Sequence, residues 1–253
     1  LDFRLSHLVA TATDVCDRQP GRGPGHPPTE TIRVVAALRR FLREGTPWRG
    51  LTATEDQASG STLRRRLARW ARTGLLAKVH ALLVGMLRGH PDLILDTCSV
   101  RAKRGGDLTG PNPTDRAKRG TKYHLAVDGG RWCAGGLRRH RGRRQRHARL
   151  RAPVPDRLRG RGRIRTVFAD KGYDAGRHRG LCRRFGAEPR IHTRGQPHGS
   201  GLGKRRWPVE RSLAWLLENR RLALRYDRLD FVVWSLLQAA CIFLVAGRLS
   251  REF

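Results

Sequence analysis

DLILDTCSV, from Asp92 to Val100, and IRTVFAD, from Ile164 to Asp170, each read as a short apolar run that carries an aspartate at or near its end. Such runs, bounded by turn residues, fit strands buried in a sheet. An acid placed there is costly unless something pairs it. Asp96 follows Leu93-Ile94-Leu95, and Asp170 follows Val167-Phe168-Ala169. A third acid, Glu210, follows Trp207-Pro208-Val209, where Pro208 suits the first turn of a helix running through Ser212, Leu213, Leu216 and Leu217. Three acids so placed read most simply as a site that holds divalent metal against a phosphate backbone. Two-metal phosphoryl chemistry needs carboxylates that hold cations ~3.5–4 Å apart. Magnesium suits oxygen ligands and keeps several waters, so few acids suffice.

Outward from these runs, Lys122 to Asp128 alternates Tyr123, Leu125 and Val127 on one face of a second strand. Gly105, Gly106, Gly110, Pro111 and Pro113 form a mobile basic loop before it. Ala175 to Phe185 reads as a basic helix closed by Gly186, Arg190-Ile191-His192 as a brief strand, and Gly195 to Gly203 as a glycine-rich linker. Strands and helices in this order predict an α/β fold.

Upstream, Ile32, Val35, Ala36, Leu38, Phe41 and Leu42 keep helical spacing, with Thr29 as cap and Gly45 as stop. Thr62 caps a second helix in which Leu63, Leu67 and Trp70 share a stripe, Arg64, Arg65, Arg66 and Arg69 fill the remainder, and Gly74 ends it. A third helix takes Leu75 to Met86. Three short helices with an arginine-rich middle one suggest a helix-turn-helix-like DNA reader. An ordinary helical cap with a solvated basic face is the equal alternative. Far downstream, Phe231 to Val245 is the longest apolar stretch; Ser235 and Gln238 interrupt it, and it falls short of the ~20 residues of a membrane span. It reads as a buried helix.

The 253 residues carry 53 Lys and Arg against 21 Asp and Glu, a formal charge of +32. Charge of this sign and size calls for a polyanion, and nucleic acid is the expected partner, because cations that neutralise phosphates release condensed counterions. Cys16, Cys98, Cys133, Cys182 and Cys241 lie far apart, odd in number and without metal-ligand spacing, which fits a reducing cytosol. No signal peptide opens the chain, and its start on Leu1 rather than Met points to a cropped beginning or an incomplete reading frame.

Residues 129 to 163 break the pattern, with thirteen arginines, one acid (Asp156) and no apolar alternation. This is the composition of a GC-rich coding sequence read out of frame, so a compensated frameshift is expected; a disordered basic loop gripping DNA is the alternative.

Four stretches, LDTCSVRAKR from Leu95, GPNPTDRAKRGTKYHLAVD from Gly110, VFADKGYDAGRHR from Val167 and WPVERSLAWLLENRRLALRYDR from Trp207, resemble the DDE transposases of bacterial insertion sequences, the group with an RNase H-like core. TPWRGL and STLRRRLARW extend the resemblance to the N-terminal part. The resemblance implies an RNase H-like α/β mixed sheet over residues 91–253 behind a small helical DNA-binding domain over residues 1–90. By position it makes Asp96, Asp170 and Glu210 the catalytic metal ligands, for two Mg2+ ions that Mn2+ can replace. Lys118, Arg119 and Lys122 correspond to the family's basic stretch, Arg211 lies beside the same phosphates, and Arg220, Arg221, Arg225, Tyr226 and Arg228 form its closing basic motif. Lys171 and Tyr173 are candidates to position the DNA end, with simple packing an equal reading for Tyr173. His124 reads as a strand residue rather than a ligand. Trp207 and Trp215 could stack on an unpaired base, core packing being the better reading for Trp215. Asp227 reads as the partner of a neighbouring arginine.

The implied activity is metal-dependent cleavage and strand transfer on double-stranded DNA, at terminal inverted repeats and target, by a homodimer in the bacterial cytoplasm, nucleoid-associated and away from membranes. The missing pattern over residues 129–163 should cost a central strand partner, predicting a polypeptide that folds poorly or is inactive. A catalytically dead DNA-binding relic is therefore the runner-up, and a basic scaffold or RNA-binding protein ranks last, since no aromatic RNA-recognition motif is present.

Overall fold

The computed structural model describes residues 3–17, 27–87, 90–112, 115–129, 134–141, 164–193, 195 and 202–252. In chain order the helices are α1 (Phe3–Cys16), α2 (Thr31–Glu44), α3 (Gly60–Thr73), α4 (Leu75–Met86), α5 (Gly176–Arg184), α6 (Leu202–Leu217), α7 (Arg220–Ala223) and α8 (Asp230–Glu252). The strands used below are β1 (Asp92–Ala102), β2 (Gly110–Pro111), β3 (Arg119–Asp128), β4 (Ala134–Arg141), β5 (Thr166–Ala169) and β6 (Glu188–Ile191).

The chain divides into two compact units. Leu87–Leu217 form one, and Leu1–Met86 join Glu218–Phe253 in the other. The first division falls at Met86/Leu87, where the sequence reading expected 90/91, and the last stretch, Glu218–Phe253, groups with the helices rather than with the sheet. The reason lies in α8: Val232, Val233, Leu236, Leu237, Ala239, Ala240, Ile242, Val245, Ala246 and Leu249 are all buried. They pack on α1, α3 and α4. At ~1.5–3 kcal/mol per fully buried aliphatic side chain, this contact is a dominant share of what holds the helices together. The helix runs 23 residues, longer than its apolar stretch and long enough by length and composition alone to cross a membrane; most of its apolar residues are buried against helices, while Phe231, Trp234, Phe243 and Leu244 are half-buried.

In this helical unit Gly45 and Gly74 close α2 and α3 with φ of 71° and 64°, as read from the sequence. The N-caps differ from expectation. Ser59, not Thr62, caps α3, its hydroxyl accepting the Thr62 N–H, and Glu30 rather than Thr29 precedes α2, without a side-chain cap bond. Leu63, Leu67 and Trp70 are buried as the stripe predicts.

In the sheet unit the strand order is β4-β3-β1-β5-β6, with β2 and β4 taking consecutive stretches of the same edge of β3. β1 runs antiparallel to β3, and β3 to β4, whereas β1, β5 and β6 are parallel. Three antiparallel strands followed by parallel ones, with helices on the faces, is the expected RNase H-like α/β arrangement. One core face gathers Leu93, Leu95, Val167, Ala169, Cys182, Ala187 and Ile191. The helix α6 packs on β1, β3 and β5.

The anomalous stretch is corrected in part. Ala134–Arg141 form β4, paired with β3 from Thr121↔Arg141 to Val127↔Ala134 with a bulge at Ala126/Val127, so the strand partner expected to be lost is present. A ladder needs only backbone N–H and C=O groups, which any composition without proline supplies. Residues 130–133 and 142–163, where the rest of the frameshift reading falls, lie outside the described residues.

Candidate active site

Register brings the two aspartates together. Leu95 pairs with Ala169 across the parallel β1/β5 ladder, so Asp96 and Asp170 are the next residues on adjacent strands. Side chains alternate along a strand, so both acids project to the opposite side from Leu95 and Ala169. Asp96 is still inside β1 and is buried, 7% exposed. Asp170 stands just past β5, where its carboxylate caps the short turn Lys171–Tyr173 by accepting the Gly172 N–H at 3.0 Å.

The pair is electrostatically coupled. Burial pushes the Asp170 carboxyl above the ordinary aspartate value, and the negative charge of Asp96 pushes it further; Arg206, the Gly172 N–H and Lys122 oppose the rise. Burial, and then the same Asp96 charge, hold the Cys98 thiol up to about 12. A buried carboxyl raised by a neighbouring carboxylate's charge marks a place where positive charge is stabilised.

That charge comes from a residue not singled out in the sequence. Arg206 Nη2 lies 2.7 Å from Asp96 Oδ2 and 3.8 Å from Glu210 Oε1, so one guanidinium nitrogen touches two of the three acids. Its Nε is buried without a hydrogen-bond partner among the described residues. Asp96 Oδ1 takes the Thr97 N–H at 2.7 Å. The signal available in the sequence was spacing: Arg206 precedes Glu210 by one helical turn, the i,i+4 arrangement.

The helix that carries both begins earlier than expected. It starts at Leu202, inside the stretch read as linker, and Pro208 sits in its interior rather than its first turn. Proline there removes one backbone donor. The Pro208 carbonyl is taken by the Ser212 hydroxyl at 2.8 Å. The longer helix is what places Arg206 beside Glu210, whose side chain is 55% exposed.

Tyr173 is buried, its hydroxyl 2.8 Å from His124 Nδ1 and 3.5 Å from the Asp96 carbonyl. Burial, and the charges of Asp170 and Asp96, raise its phenol well above the ordinary value. Both residues therefore brace the floor under Asp96; packing is the outcome for Tyr173, and His124 is a strand residue. On α6, Arg211 is exposed and lies over the Trp215 ring at 4.4 Å and near Trp207 at 5.9 Å. Trp207 is 46% exposed. Lys118 and Arg119 are exposed, and Lys122 and Lys171 half-buried, on the sheet unit.

In the helical unit the predicted basic residues part ways. Arg64, Arg65 and Arg220 are exposed. Arg66 donates to the Thr29 carbonyl at 2.7 Å, and Arg69 pairs with Asp17 at 2.6 Å. Arg221 and Arg225 correct the expectation of DNA contact: they are 7% and 2% exposed. Arg221 grips Asp227 through two hydrogen bonds of 2.9 and 3.1 Å, and Arg225 donates to the carbonyls of Asp227 and Arg228. Their forks serve the fold because a buried acid and turn carbonyls need five-donor partners. Asp227 is the arginine partner it was read to be.

Among the described residues no three His, Cys, Asp or Glu side chains form a ready-made metal cage. The donor chemistry nevertheless fits a hard divalent cation: Asp96, Asp170 and Glu210 offer carboxylate oxygens alone, and the Arg206 guanidinium beside Asp96 and Glu210 shows that a cation is held there.

Comparison with known proteins gives the family. The model of the family "Transposase DDE domain" matches residues 87–244. The chain is 37% identical over 198 residues to the "Putative transposase for insertion sequence element IS402" of Burkholderia cepacia, covering 74% of this chain and 92% of that protein. It is 30% identical over 97 residues to the "Insertion element IS402 uncharacterized 16.2 kDa protein" of the same organism, 36% of this chain and 66% of that protein. Among solved structures it superposes loosely on the piggyBac transposase synaptic complex with hairpin DNA, with a TM-score of 0.42, 11% identity and coverage of 99% of this chain and 74% of that one. A pre-cleavage Mos1 transpososome gives 0.32, 13%, 93% and 80%. With a family model spanning most of its length, and a relative matched almost end to end, the chain belongs to the DDE transposases, a class of metal-dependent enzymes that cut and join DNA strands.

Proposed function

We propose that this chain binds the double-stranded ends of its own insertion element and performs metal-dependent strand cleavage and transfer with Asp96, Asp170 and Glu210 as the acid triad. The observation that carries the reading is the side-by-side placement of Asp96 and Asp170 on adjacent parallel strands, with Glu210 joined to Asp96 through Arg206. Two Mg2+ ions, replaceable by Mn2+, would be held by these three acids; bound there they supply charge stabilisation of the attacking and leaving oxygens of a phosphodiester.

The chain's own residues set the stage for that chemistry. The Thr97 and Gly172 N–H groups each hold one oxygen of Asp96 and Asp170, which fixes the direction of the other. Tyr173 and the β1/β3 ladder keep the floor dry. Lys118, Arg119, Lys122, Lys171 and Arg211 supply positive charge on the same unit for the DNA backbone, which positions the duplex without reading sequence. The helical unit, with Arg64, Arg65 and Arg220 exposed, is the DNA-binding part, helped by Arg66 and Arg69. Joining two ends of one element calls for two such sites, hence a homodimer on DNA, acting in the bacterial cytoplasm where that DNA lies.

The test uses supercoiled plasmid carrying the DNA that flanks the gene, incubated with the full chain and Mg2+ or Mn2+. Nicking at the element ends, abolished in Asp96→Asn, Asp170→Asn and Glu210→Gln while gel-shift affinity is kept, is the expected result. An Asp170→Ala variant that nicks as well as the parent refutes the triad. Binding without nicking in the parent leaves a DNA-binding relic.

A further inference from the structure

Within the helical unit a hollow of about 690 Å3 opens between the Trp48–Leu51 turn, the start of α3 and Phe231 of α8. Its floor is apolar, made by Trp48, Leu51, Ala68 and Phe231, and its rim is arginine, from Arg49, Arg64 and Arg65. Ser61, Arg64, Arg65 and Ala68 recur at i, i+3, i+4 and i+7, so they share one face of α3, away from buried Leu63, Leu67 and Trp70. All three rim arginines are exposed, and none makes a hydrogen bond or ion pair among the described residues. Three cations crowded on one rim without an acid are matched by an anion from outside the chain.

The floor says what kind of anion. A bare phosphate needs donors and no apolar surface, and a paired duplex shows its neighbours base edges, never base faces. A nucleotide that has left the stack offers both a flat apolar ring and a phosphate. Trp48 is set up to receive such a ring. Its indole N–H donates to Asp227 Oδ1 at 3.0 Å, and its ring lies 4.1 Å from that of Phe41. Asp227 is locked by Arg221, whose guanidinium rests on Phe41 at 4.3 Å. The turn carrying Trp48 is itself pinned, because the Gly60 N–H donates to the Leu51 carbonyl at 2.9 Å and α3 approaches the Trp48 carbonyl more closely than any side chain would allow. A half-buried indole held this rigidly loses little freedom when a base stacks on it.

We propose that this hollow is a binding site for a single unpaired nucleotide, its base against Trp48 and Phe231 and its phosphate on Arg64, Arg65 and Arg49. The site rests on the DNA-binding reading given above and makes it specific: the helical unit grips DNA at a place where one base is extruded.

Fluorescence anisotropy in EDTA, with the full chain, compares a paired duplex with the same duplex carrying one bulged 2-aminopurine. The bulged duplex is expected to bind roughly tenfold tighter, the size of one base–aromatic contact, with the 2-aminopurine emission quenched by the indole. Ala68→Phe, which fills the hollow, should bring the bulged duplex back to the affinity of the paired one and restore the emission. Arg64→Ala with Arg65→Ala should weaken the bulged duplex most. Equal affinity for both duplexes in the parent protein, or quenching that survives Ala68→Phe with unchanged helical circular dichroism, overturns the proposal and leaves DNA binding intact. Binding of neither duplex overturns the DNA reading itself.

Discussion

Replacing Asp227 by alanine should cut deeply into the stability of the helical unit. Asp227 and Arg221 face each other with side chains only 8% and 7% exposed, so each has given up its water for the other. Removing the acid leaves a guanidinium buried without a counter-charge, and it leaves the Trp48 indole N–H without its acceptor. Breaking one side of a buried pair costs about 3–5 kcal/mol, and a lost hydrogen bond adds ~1 kcal/mol. Against a total of ~5–15 kcal/mol this is about a quarter of the margin or more. The attraction itself is not what holds the fold, since it largely offsets the desolvation of its partners. Replacing both residues together, Arg221→Met with Asp227→Leu, should therefore recover most of the loss. Urea denaturation followed by circular dichroism at 222 nm measures both variants. If Asp227→Ala sits within about 1 kcal/mol of the parent, or if the double replacement is worse than either single one, the buried-pair argument is wrong.

Three further outcomes are expected. Gly60→Ala puts a Cβ 1.9 Å from the Trp48 carbonyl oxygen, so it should destabilise by ~1–3 kcal/mol in urea although alanine is the better helix former; a stabilised variant contradicts the close approach. Arg206→Gln strips the cation from Asp96 and should lower stability in EDTA by ~3 kcal/mol, with part of the loss restored by Mg2+; no change in EDTA means the contact carries nothing. The raised Asp170 carboxyl means the folded chain holds its proton more tightly than the unfolded one. Stability from this group is full below the unfolded value and is lost as pH rises through the folded one. Asp170→Asn should therefore raise Tm at neutral pH in EDTA, with the gap closing in acid; a gap that stays constant across that range refutes the coupling.

The parts of the fold written in local pattern were legible. Runs such as Leu93-Ile94-Leu95 and Val167-Phe168-Ala169, short and bounded by turn residues, became buried strands, and Gly45 and Gly74 became left-handed helix stops. The parts written in long-range geometry were not. β4 is held by backbone bonds to β3, which no side-chain alternation announces. Pro208 follows a rule for first turns that the turns from Leu202 override. Arg206 was hidden among 53 basic residues, since only the meeting of β1 with α6 sets it apart. Arg221 and Arg225 looked like surface charge because the acid and carbonyls they satisfy come together only through the tertiary turn after α7.

The helical unit is discontinuous in sequence, with Leu87–Leu217 inserted before its last segment. During synthesis α1 to α4 emerge before the sheet unit, yet the helix that covers their apolar surfaces is made only after all of Leu87–Leu217. At ordinary elongation rates the gap is on the order of ten seconds. Throughout that wait the nascent chain exposes the apolar surface that α8 covers in the finished fold. A premature stop before Asp230 would release a product that holds the whole of Leu87–Leu217 while α1, α3 and α4 lack the helix that covers them.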